Sequence, residues 1–120
     1  MSKKLKILFA GEAIYVLTSI YKGRDYINIG KYAEHGQFFL DAMKDNDIDC
    51  DYIPTNKVME EFPWKLEELK QYDAIAVSDV GSDTFLVSER TMKGEKTPNR
   101  LKLIEQYVKE GGGYLMWGGY

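Results

Sequence analysis

The chain has few residues of several kinds, and each shortage excludes a class of protein. It contains one cysteine in 120 residues, so no disulfide can form within it, and the cytoplasm is the expected compartment. No apolar run approaches the roughly 20 residues that cross a bilayer. No signal-peptide cleavage pattern follows the first lysines. We therefore expect a cytoplasmic protein without a membrane partner.

Positive charge is also scarce. The chain has 16 Lys and Arg against 19 Asp and Glu, which gives a net charge of −3. Binding to phosphates of nucleic acids needs a basic face, so we expect no nucleic acid partner. His35 and Cys50 are the only residues of their kinds and lie apart in the sequence. We expect no metal site, because such sites need several converging ligands.

Apolar residues, by contrast, are sufficient for one domain with a core. They make up 44% of the chain, and aromatic residues make up 13%, which argues against disorder. Short apolar runs predict three strands, at Leu5–Ala10, Asp73–Ser78 and Tyr114–Trp117, and the more polar stretch Asp47–Ile53 is predicted to be a fourth, at a sheet edge. Helical spacing predicts helices at Tyr32–Asp45, Asn56–Phe62 and Trp64–Gln71, and from Thr97 to the glycines at 111–113.

Two of these helices carry specific signals. In the first, Phe38, Phe39, Ala42 and Met43 form the predicted buried stripe. In the last, Thr97 is the predicted N-cap and Pro98 the first helical residue. The glycines that follow predict a tight stop before a buried strand. Between the third strand and this helix, the stretch Ser82–Met92 has room for a short helical turn around Thr84–Leu86.

The alternation of strands and helices predicts an α/β fold. Right-handed crossovers give a parallel sheet with helices on its faces and strand order 2-1-3-4. The turns at Gly11–Ala13, Asp79–Asp83 and Gly118–Tyr120 then meet in one crevice at the carboxyl ends of the strands, where such folds bind ligands. The predicted ligand-binding residues are Gly11, Glu12, Asp79, Gly81, Ser82, Gly118 and Gly119.

The stretch Ile14–Lys31 shows no clean period. A loop of this length is often functional or a disguised hairpin. We interpret it as an active-site-type loop or a short irregular excursion over the strand ends. Its charged segment Lys22–Asp25 could face an anionic ligand or form a solvated turn.

Several residues at the crevice have two interpretations. Glu12, Asp79 and Asp83 could gather as an acidic site for a cation or an amine, or they could cap turns and helices. His35 could face the crevice or lie at the surface. Cys50 is predicted to be a small buried or half-buried thiol away from the strand ends. The chain has neither GxGxxG nor GxxxxGK[ST], so we expect no nucleotide cofactor.

Five segments in this order resemble a known family: KILFAGE, YKGRDY, EEFPW, YDAIAVSDVGSDT and TPNRLKLIEQYVKEGGGYLMWGGY. The family consists of stand-alone cytoplasmic proteins classed as putative glutamine amidotransferases. The resemblance implies the class I glutamine amidotransferase-like, flavodoxin-like fold. Its members are longer, and the chain resembles their N-terminal half. We therefore expect a single domain at 1–120 that lacks its C-terminal part.

The resemblance also implies where glutaminase chemistry would lie. In true class I amidotransferases the loop that here reads Asp79–Ser82 supplies oxyanion-hole N–H groups, and a nucleophilic cysteine follows the strand that here is Tyr114–Trp117. This chain has Gly118-Gly119-Tyr120 there, so the attacking thiolate is missing. The partner histidine and acid would lie further along. No catalytic residue is therefore assigned.

Three functions stay open from the sequence. The first is a domain that binds a small polar ligand at the crevice without glutaminase activity. The second is a sugar-processing hydrolase or isomerase that uses Glu12, Asp79 or His35 as acid or base. The third is a non-catalytic oligomerisation module, because the fourth strand exposes a sheet edge and apolar faces that another copy could cover. A homo-oligomer is accordingly expected.

Overall fold

The computed structural model describes residues 4–118, which form alternating strands and helices. In chain order they are β1 (Lys6–Gly11), β2 (Ala13–Lys22), β3 (Asp25–Glu34), α1 (Gln37–Asp45), β4 (Asp49–Pro54), α2 (Thr55–Glu61), α3 (Leu66–Leu69), β5 (Ala74–Ser78), α4 (Ser82–Leu86), α5 (Glu89–Met92), α6 (Arg100–Lys109) and β6 (Gly113–Trp117).

A four-stranded parallel sheet is the centre of the fold. Its order is β4-β1-β5-β6, which is the predicted 2-1-3-4 order when only the parallel strands are counted. The prediction of an α/β fold with a parallel sheet is confirmed. In the register, Gly11 lies beside Pro54 on one side and Ser78 on the other, and Ser78 lies beside Trp117. The four strands therefore end level with one another.

One face of the sheet carries the main core. Leu8 and Ala10 from β1, and Ile75 and Val77 from β5, point to this face because side chains alternate along a strand. Four helices supply the apolar side chains that cover them. These buried residues are Val58 and Phe62 at α2, Leu69 of α3, Phe85 of α4, and Ile104 and Tyr107 of α6.

Helix α1 covers the other face with aromatic contacts. The ring of Phe9 is fully buried and lies 4.4 Å from Phe39 and 5.7 Å from Trp117, measured between ring centroids. The predicted stripe of α1 is wrong in part, since Phe38 is 90% exposed and Ala42 is exposed. The helix begins at Gln37, five residues later than predicted, and its half-buried side carries Phe39, Leu40 and Met43.

The stretch predicted as a loop at Ile14–Lys31 is an antiparallel hairpin. Strands β2 and β3 pair along their whole length, from Ala13 with Glu34 to Lys22 with Asp25. We call this hairpin, residues 13–34, the arm. Residues 14–32 are all exposed, and the radius of gyration is 17.3 Å against about 14 Å for a compact chain of this length. The arm therefore projects from the body.

The arm was missed because neither of its faces is polar. Polar and apolar residues do not alternate, since one face carries tyrosines and the other aliphatic side chains. The turn of the hairpin could nevertheless have been predicted, because glycine is typical of the first position of a two-residue turn. Gly23 has φ +57° and Arg24 does not share that sign, as in a two-residue type II′ turn with glycine first.

Two further expectations need correction. Helix α6 is capped by Asn99, whose side chain accepts a hydrogen bond from the Lys102 N–H at 3.1 Å. Thr97, the predicted cap, is bonded instead to the hydroxyl of Thr91. Strand β6 is not buried, because it lies at the sheet edge in residues 4–118. Its residues Tyr114, Leu115 and Met116 are 39–65% exposed.

Candidate functional site

The carboxyl edge of the sheet is built from residues with unusual backbone angles. Four residues at three neighbouring strand ends have positive φ: Gly11 at +122°, Glu12 at +52°, Asp79 at +53° and Gly118 at +110°. Glu12 and Asp79 have side chains, and such a conformation costs them about 1 kcal/mol or more. The surrounding contacts must hold these turns in place.

The turn after β1 is fixed between its two neighbouring strands. The Tyr52 hydroxyl donates to the Gly11 carbonyl oxygen at 2.9 Å, and the Glu12 N–H donates to the Ser78 carbonyl oxygen at 3.3 Å. A side chain at position 11 would overlap that same Ser78 carbonyl. Gly11 is therefore required by the close approach of β1 to β5.

The turn after β6 lies against the turn after β5. The Asp79 N–H donates to the Trp117 carbonyl oxygen at 3.2 Å. A Cβ atom on Gly118 would overlap the carboxylate of Asp79. The backbone and carboxylate of Asp79 thus leave no room for a side chain at position 118. Gly119, also predicted to bind ligand, lies outside the described residues.

Glu12 projects from the carboxyl edge of the sheet, at a point that we call the crest, and hydrogen bonds of its side chain and its backbone hold it there. Its carboxylate accepts a hydrogen bond from the hydroxyl of Ser78, which is fully buried at the end of β5. Its carbonyl oxygen accepts a hydrogen bond from the His35 N–H at 2.6 Å. Because the carboxylate and the backbone of Glu12 are both hydrogen-bonded, the carboxylate has a defined position.

On one side of this crest lies a depression of about 550 Å³, which we call the tip pocket. The base of the arm, the start of α2 and the start of α4 form its walls. The Thr55 hydroxyl accepts a hydrogen bond from the Ala13 N–H at 3.2 Å, which joins α2 to the arm. The lining residues are Ala13, Ile14, Tyr15, Thr55, Asp79, Gly81 and Thr84.

On the other side lies a depression of about 420 Å³, which we call the aromatic pocket. Glu12 and His35 supply its polar groups, and Phe38, Phe39 and Trp117 supply its rings. The Phe39 and Trp117 rings lie 5.4 Å apart. A carboxylate and an imidazole beside aromatic rings can bind a hydroxylated or cationic group.

A buried arginine supports the helices around the tip pocket. Arg100 is fully buried, and its guanidinium donates to five carbonyl oxygens at 2.8–3.3 Å, those of Val58, Met59, Phe62, Thr84 and Phe85. These carbonyls lie at the ends of α2 and α4. Its guanidinium also lies 3.9 Å from the Trp64 ring. Burial lowers the pKa of Arg100 to about 10, and the charge of Glu60 opposes that shift.

The structure brings most predicted site residues to one edge. Glu12 lines the aromatic pocket, and Asp79 and Gly81 line the tip pocket. Gly11 and Gly118 form the turns between them. Ser82 begins α4 and faces a separate shallow depression of about 340 Å³ with Asp83. That these residues bind a ligand stays a prediction.

The acidic-cluster interpretation is not supported by the geometry. Within residues 4–118, no group of three His, Cys, Asp or Glu side chains is placed to hold a metal ion. Glu12 and Asp79 line different depressions. The segment Lys22–Asp25 does not cover the crevice, because it is the turn at the far end of the arm, roughly 30 Å from its base.

Cys50 lies where the sequence places it, away from the strand tips. It is the second residue of β4 and half-buried. Burial, and next the charge of Asp51, raise the pKa of its thiol to about 11. A thiol with this pKa is almost entirely protonated at neutral pH, so it is a poor nucleophile.

Sequence reasoning missed the residues that the arm contributes to the tip pocket. These are Ile14 and Tyr15, together with Thr55 at the start of α2, whereas Ala13 belongs to the predicted turn Gly11–Ala13. A mirrored pair of apolar runs around Gly23 was the available signal, because it indicates a hairpin that begins at the crevice. Thr55 carries no signal that separates it from an ordinary helix start.

The family is shown by comparison with known proteins. A family model described as "Putative glutamine amidotransferase" (GATase1-like) matches residues 6–120. The chain belongs to this family. No helix in residues 4–118 is long and apolar enough to cross a membrane. A search of curated proteins finds no match.

Two solved structures from Salmonella typhimurium are similar. They are the cytoplasmic protein STM3548, at 41% identity, and the cytoplasmic protein STM1381 of strain LT2, at 44% identity. Each matches with a TM-score of 0.90 over 97% of this chain. The chain spans about half of their length, 48% in both cases. The expected cytoplasmic location agrees with the description of both proteins as cytoplasmic.

Proposed function

We propose that this chain binds a small polar ligand in the tip pocket, on a class I glutamine amidotransferase-like scaffold of the flavodoxin-like class. One observation carries the proposal. The turns after β1, β5 and β6 meet at one edge, and the two that carry Glu12 and Asp79 hold side chains in a strained backbone conformation. Strain of this kind persists where function requires the geometry.

The pocket lining indicates the chemistry of the ligand. Its polar side chains are the Asp79 carboxylate and the Thr55 and Thr84 hydroxyls. No lysine or arginine is among the residues that line it. Such a pocket favours a neutral hydroxylated molecule or an amine, and it disfavours a carboxylate or a phosphate, because like charges repel.

The proposal does not include glutaminase activity by this chain. Cys50 is its only cysteine, and it lies on β4 with a pKa raised to about 11. The turn in which the family resemblance implies the nucleophile reads Gly118-Gly119-Tyr120, and a Cβ on Gly118 would overlap Asp79. Without a thiolate beside the oxyanion-hole loop, attack on an amide carbon has no nucleophile.

A second candidate function is acid–base chemistry on a sugar. The observation that favours it is the aromatic pocket, where Glu12 and His35 lie with Phe38, Phe39 and Trp117. A carboxyl group and an imidazole can transfer protons at a hydroxyl or carbonyl group. Loss of turnover in Glu12→Gln, with unchanged ligand binding in the tip pocket, would favour this function.

Calorimetric titration with sugars, amino acids and nucleotides tests the first proposal. We expect a neutral sugar or an amine to bind, and we expect Gly81→Val to abolish binding by filling the pocket. Thr84→Val should weaken binding about three- to tenfold, since it removes one hydrogen bond. Ser19→Ala, which removes an exposed hydroxyl bonded to Asn28 on the distant arm, is the matched control and should leave affinity unchanged. Silence across the panel, or full affinity in Gly81→Val, would reject the tip pocket.

A further inference from the structure

The arm carries an apolar face that nothing covers within residues 4–118. On this face the cross-strand pairs are Ile14 with Ala33, Val16 with Lys31, Thr18 with Ile29, Ile20 with Ile27, and Lys22 with Asp25. The five isoleucines and valines that it contains are 45–59% exposed. We call it the aliphatic face. A two-stranded hairpin is at best marginally stable in water when its faces are not packed.

On the opposite face of the arm, the side chains contact one another and the body of the protein. The Tyr15 side chain lies over Gly30 of the neighbouring strand. The Tyr21 and Tyr26 rings lie 5.9 Å apart, and the Tyr32 hydroxyl donates to the Asn56 side chain at 2.9 Å. The side chains of the aliphatic face make no comparable contacts, and the exposure of aliphatic side chains to water is unfavourable. It is therefore the face that requires a partner.

We propose that this partner is a second copy of the chain, and that two arms pack antiparallel, aliphatic face against aliphatic face. The face has five cross-strand pairs, so its middle pair, Thr18 with Ile29, lies on a two-fold axis and meets its own equivalent. The pair Ile20 with Ile27 then lies against the pair Val16 with Lys31. A two-fold interface of this kind closes after two copies.

Charge fixes the orientation of the two arms. The tip of the arm is basic, because it carries Lys22 and Arg24 and one carboxylate, that of Asp25. The base of the arm is acidic, because residues 12–14 and 33–35 include Glu12 and Glu34 and no lysine or arginine. Antiparallel packing brings the basic tip of one arm to the acidic base of the other. Parallel packing would place like charges together. Complementary charge of this sort selects register and partner.

The size of the contact sets how strong the dimer is. A hairpin of ten residues per strand is roughly 33 Å long, and its face is about 12 Å wide with side chains, which gives about 400 Å² per copy. Two such faces lie below the roughly 1,200 Å² at which stable specific interfaces begin. We therefore expect a weak, reversible dimer that forms only at high protein concentration.

This packing also changes the tip pocket, which begins at the base of the arm. Ala13, Ile14 and Tyr15 line that pocket, so the tip of the second arm comes to its rim with Lys22 and Arg24 of the partner subunit. The inference about the dimer does not depend on the ligand proposed above.

Sedimentation velocity across a concentration series tests the dimer. We expect a concentration-dependent monomer–dimer equilibrium in the unmodified chain. The double variant Ile20→Lys with Ile27→Glu keeps a favourable cross-strand pair but makes the face polar, so it should be monomeric. Its matched control, Tyr21→Lys with Tyr26→Glu, alters the neighbouring pair on the opposite face and should still dimerise. Circular dichroism checks that both variants fold.

Cross-linking provides a second test that needs no destabilising change. In a Cys50→Ser background, Thr18→Cys lies at the proposed axis and should form covalent dimers with a short bismaleimide. Ser19→Cys lies next to it on the other face and should not. A monomer at all concentrations, equal cross-linking of the two cysteines, or dimers that survive Ile20→Lys with Ile27→Glu would overturn the proposal. Restored association when Arg24→Glu is combined with Glu34→Arg would support the antiparallel orientation.

Discussion

Replacement of Arg100 by methionine tests how the tip pocket is held. The guanidinium is fully buried and bonds five carbonyl oxygens at the ends of α2 and α4, and no carboxylate is among these partners. Methionine fills a similar space but donates no hydrogen bond. The buried carbonyls of Phe62 and Phe85 would lose the bond from Arg100. The Val58 carbonyl would keep the bond from the Phe62 N–H at 3.1 Å.

The expected loss follows from these bonds. An unsatisfied buried carbonyl costs about 1–3 kcal/mol, and the two of them would cost roughly 2–6 kcal/mol if neither reached water. Methionine also removes the cost of keeping a cation out of water, which offsets part of that loss. We expect a net loss of about 3 kcal/mol in the free energy of unfolding. For a domain of this size that corresponds to a fall of roughly 12 °C in Tm.

Urea unfolding followed by circular dichroism measures this loss directly. Arg90→Met is the matched control, because Arg90 also lies over the Trp64 ring, at 5.4 Å, but its side chain is 52% exposed and paired with Glu95. We expect the control to change the free energy of unfolding by less than about 0.5 kcal/mol. If Arg100→Met cost no more than the control, Arg100 would not support the site.

Two further predictions concern the strand ends and the thiol. Gly11→Ala should lower the free energy of unfolding by about 3 kcal/mol, because Gly11 has φ +122° and the added Cβ would overlap the Ser78 carbonyl. Gly23→Ala is the control, and it should cost only about 1 kcal/mol because the space around Gly23 is open. Equal losses of the two variants in urea unfolding would contradict this reasoning. Cys50 should react with iodoacetamide at pH 8 at least about tenfold more slowly in the folded chain than in urea, since burial raises its pKa to about 11 from 9.0; equal rates would refute this.

The parallel sheet could be predicted because its signals are local and repeated. Apolar runs such as Ala74–Ser78, separated by amphipathic helices, leave few topologies once crossovers are right-handed. The boundaries could not be predicted as well. Asn99 was not separable from Thr97 as a helix cap, because both residue types cap helices and only the fold decides between them.

The arm could not be predicted by the same reasoning. Binary patterning assumes one buried face and one wet face, and the arm has apolar or aromatic side chains on both. For the same reason β6 was predicted to be buried although Leu115 is 55% exposed, since an apolar run does not show whether a neighbour covers it. A lone arginine at a helix start, such as Arg100, likewise resembles a solvated residue.

The candidate site could be located but not detailed. The meeting of the Gly11 and Asp79 turns follows from strand order alone, and so it was predictable. The division into two pockets depends on the bond between Glu12 and Ser78, and on the arm that starts at Ala13. Both are tertiary contacts between residues far apart in sequence, and neither leaves a local pattern.

The most direct test of the central claim is a map of backbone amide chemical shifts during titration with the tightest ligand of the panel. The account predicts that the shifts concentrate at the tip pocket, in the amides of Ala13, Thr55 and Gly81. A depression of about 350 Å³ at the opposite edge of the sheet, lined among others by Tyr107 and Gly112, is the internal comparison. Shifts confined to that opposite edge would contradict the claim that the carboxyl ends of the strands form the functional site.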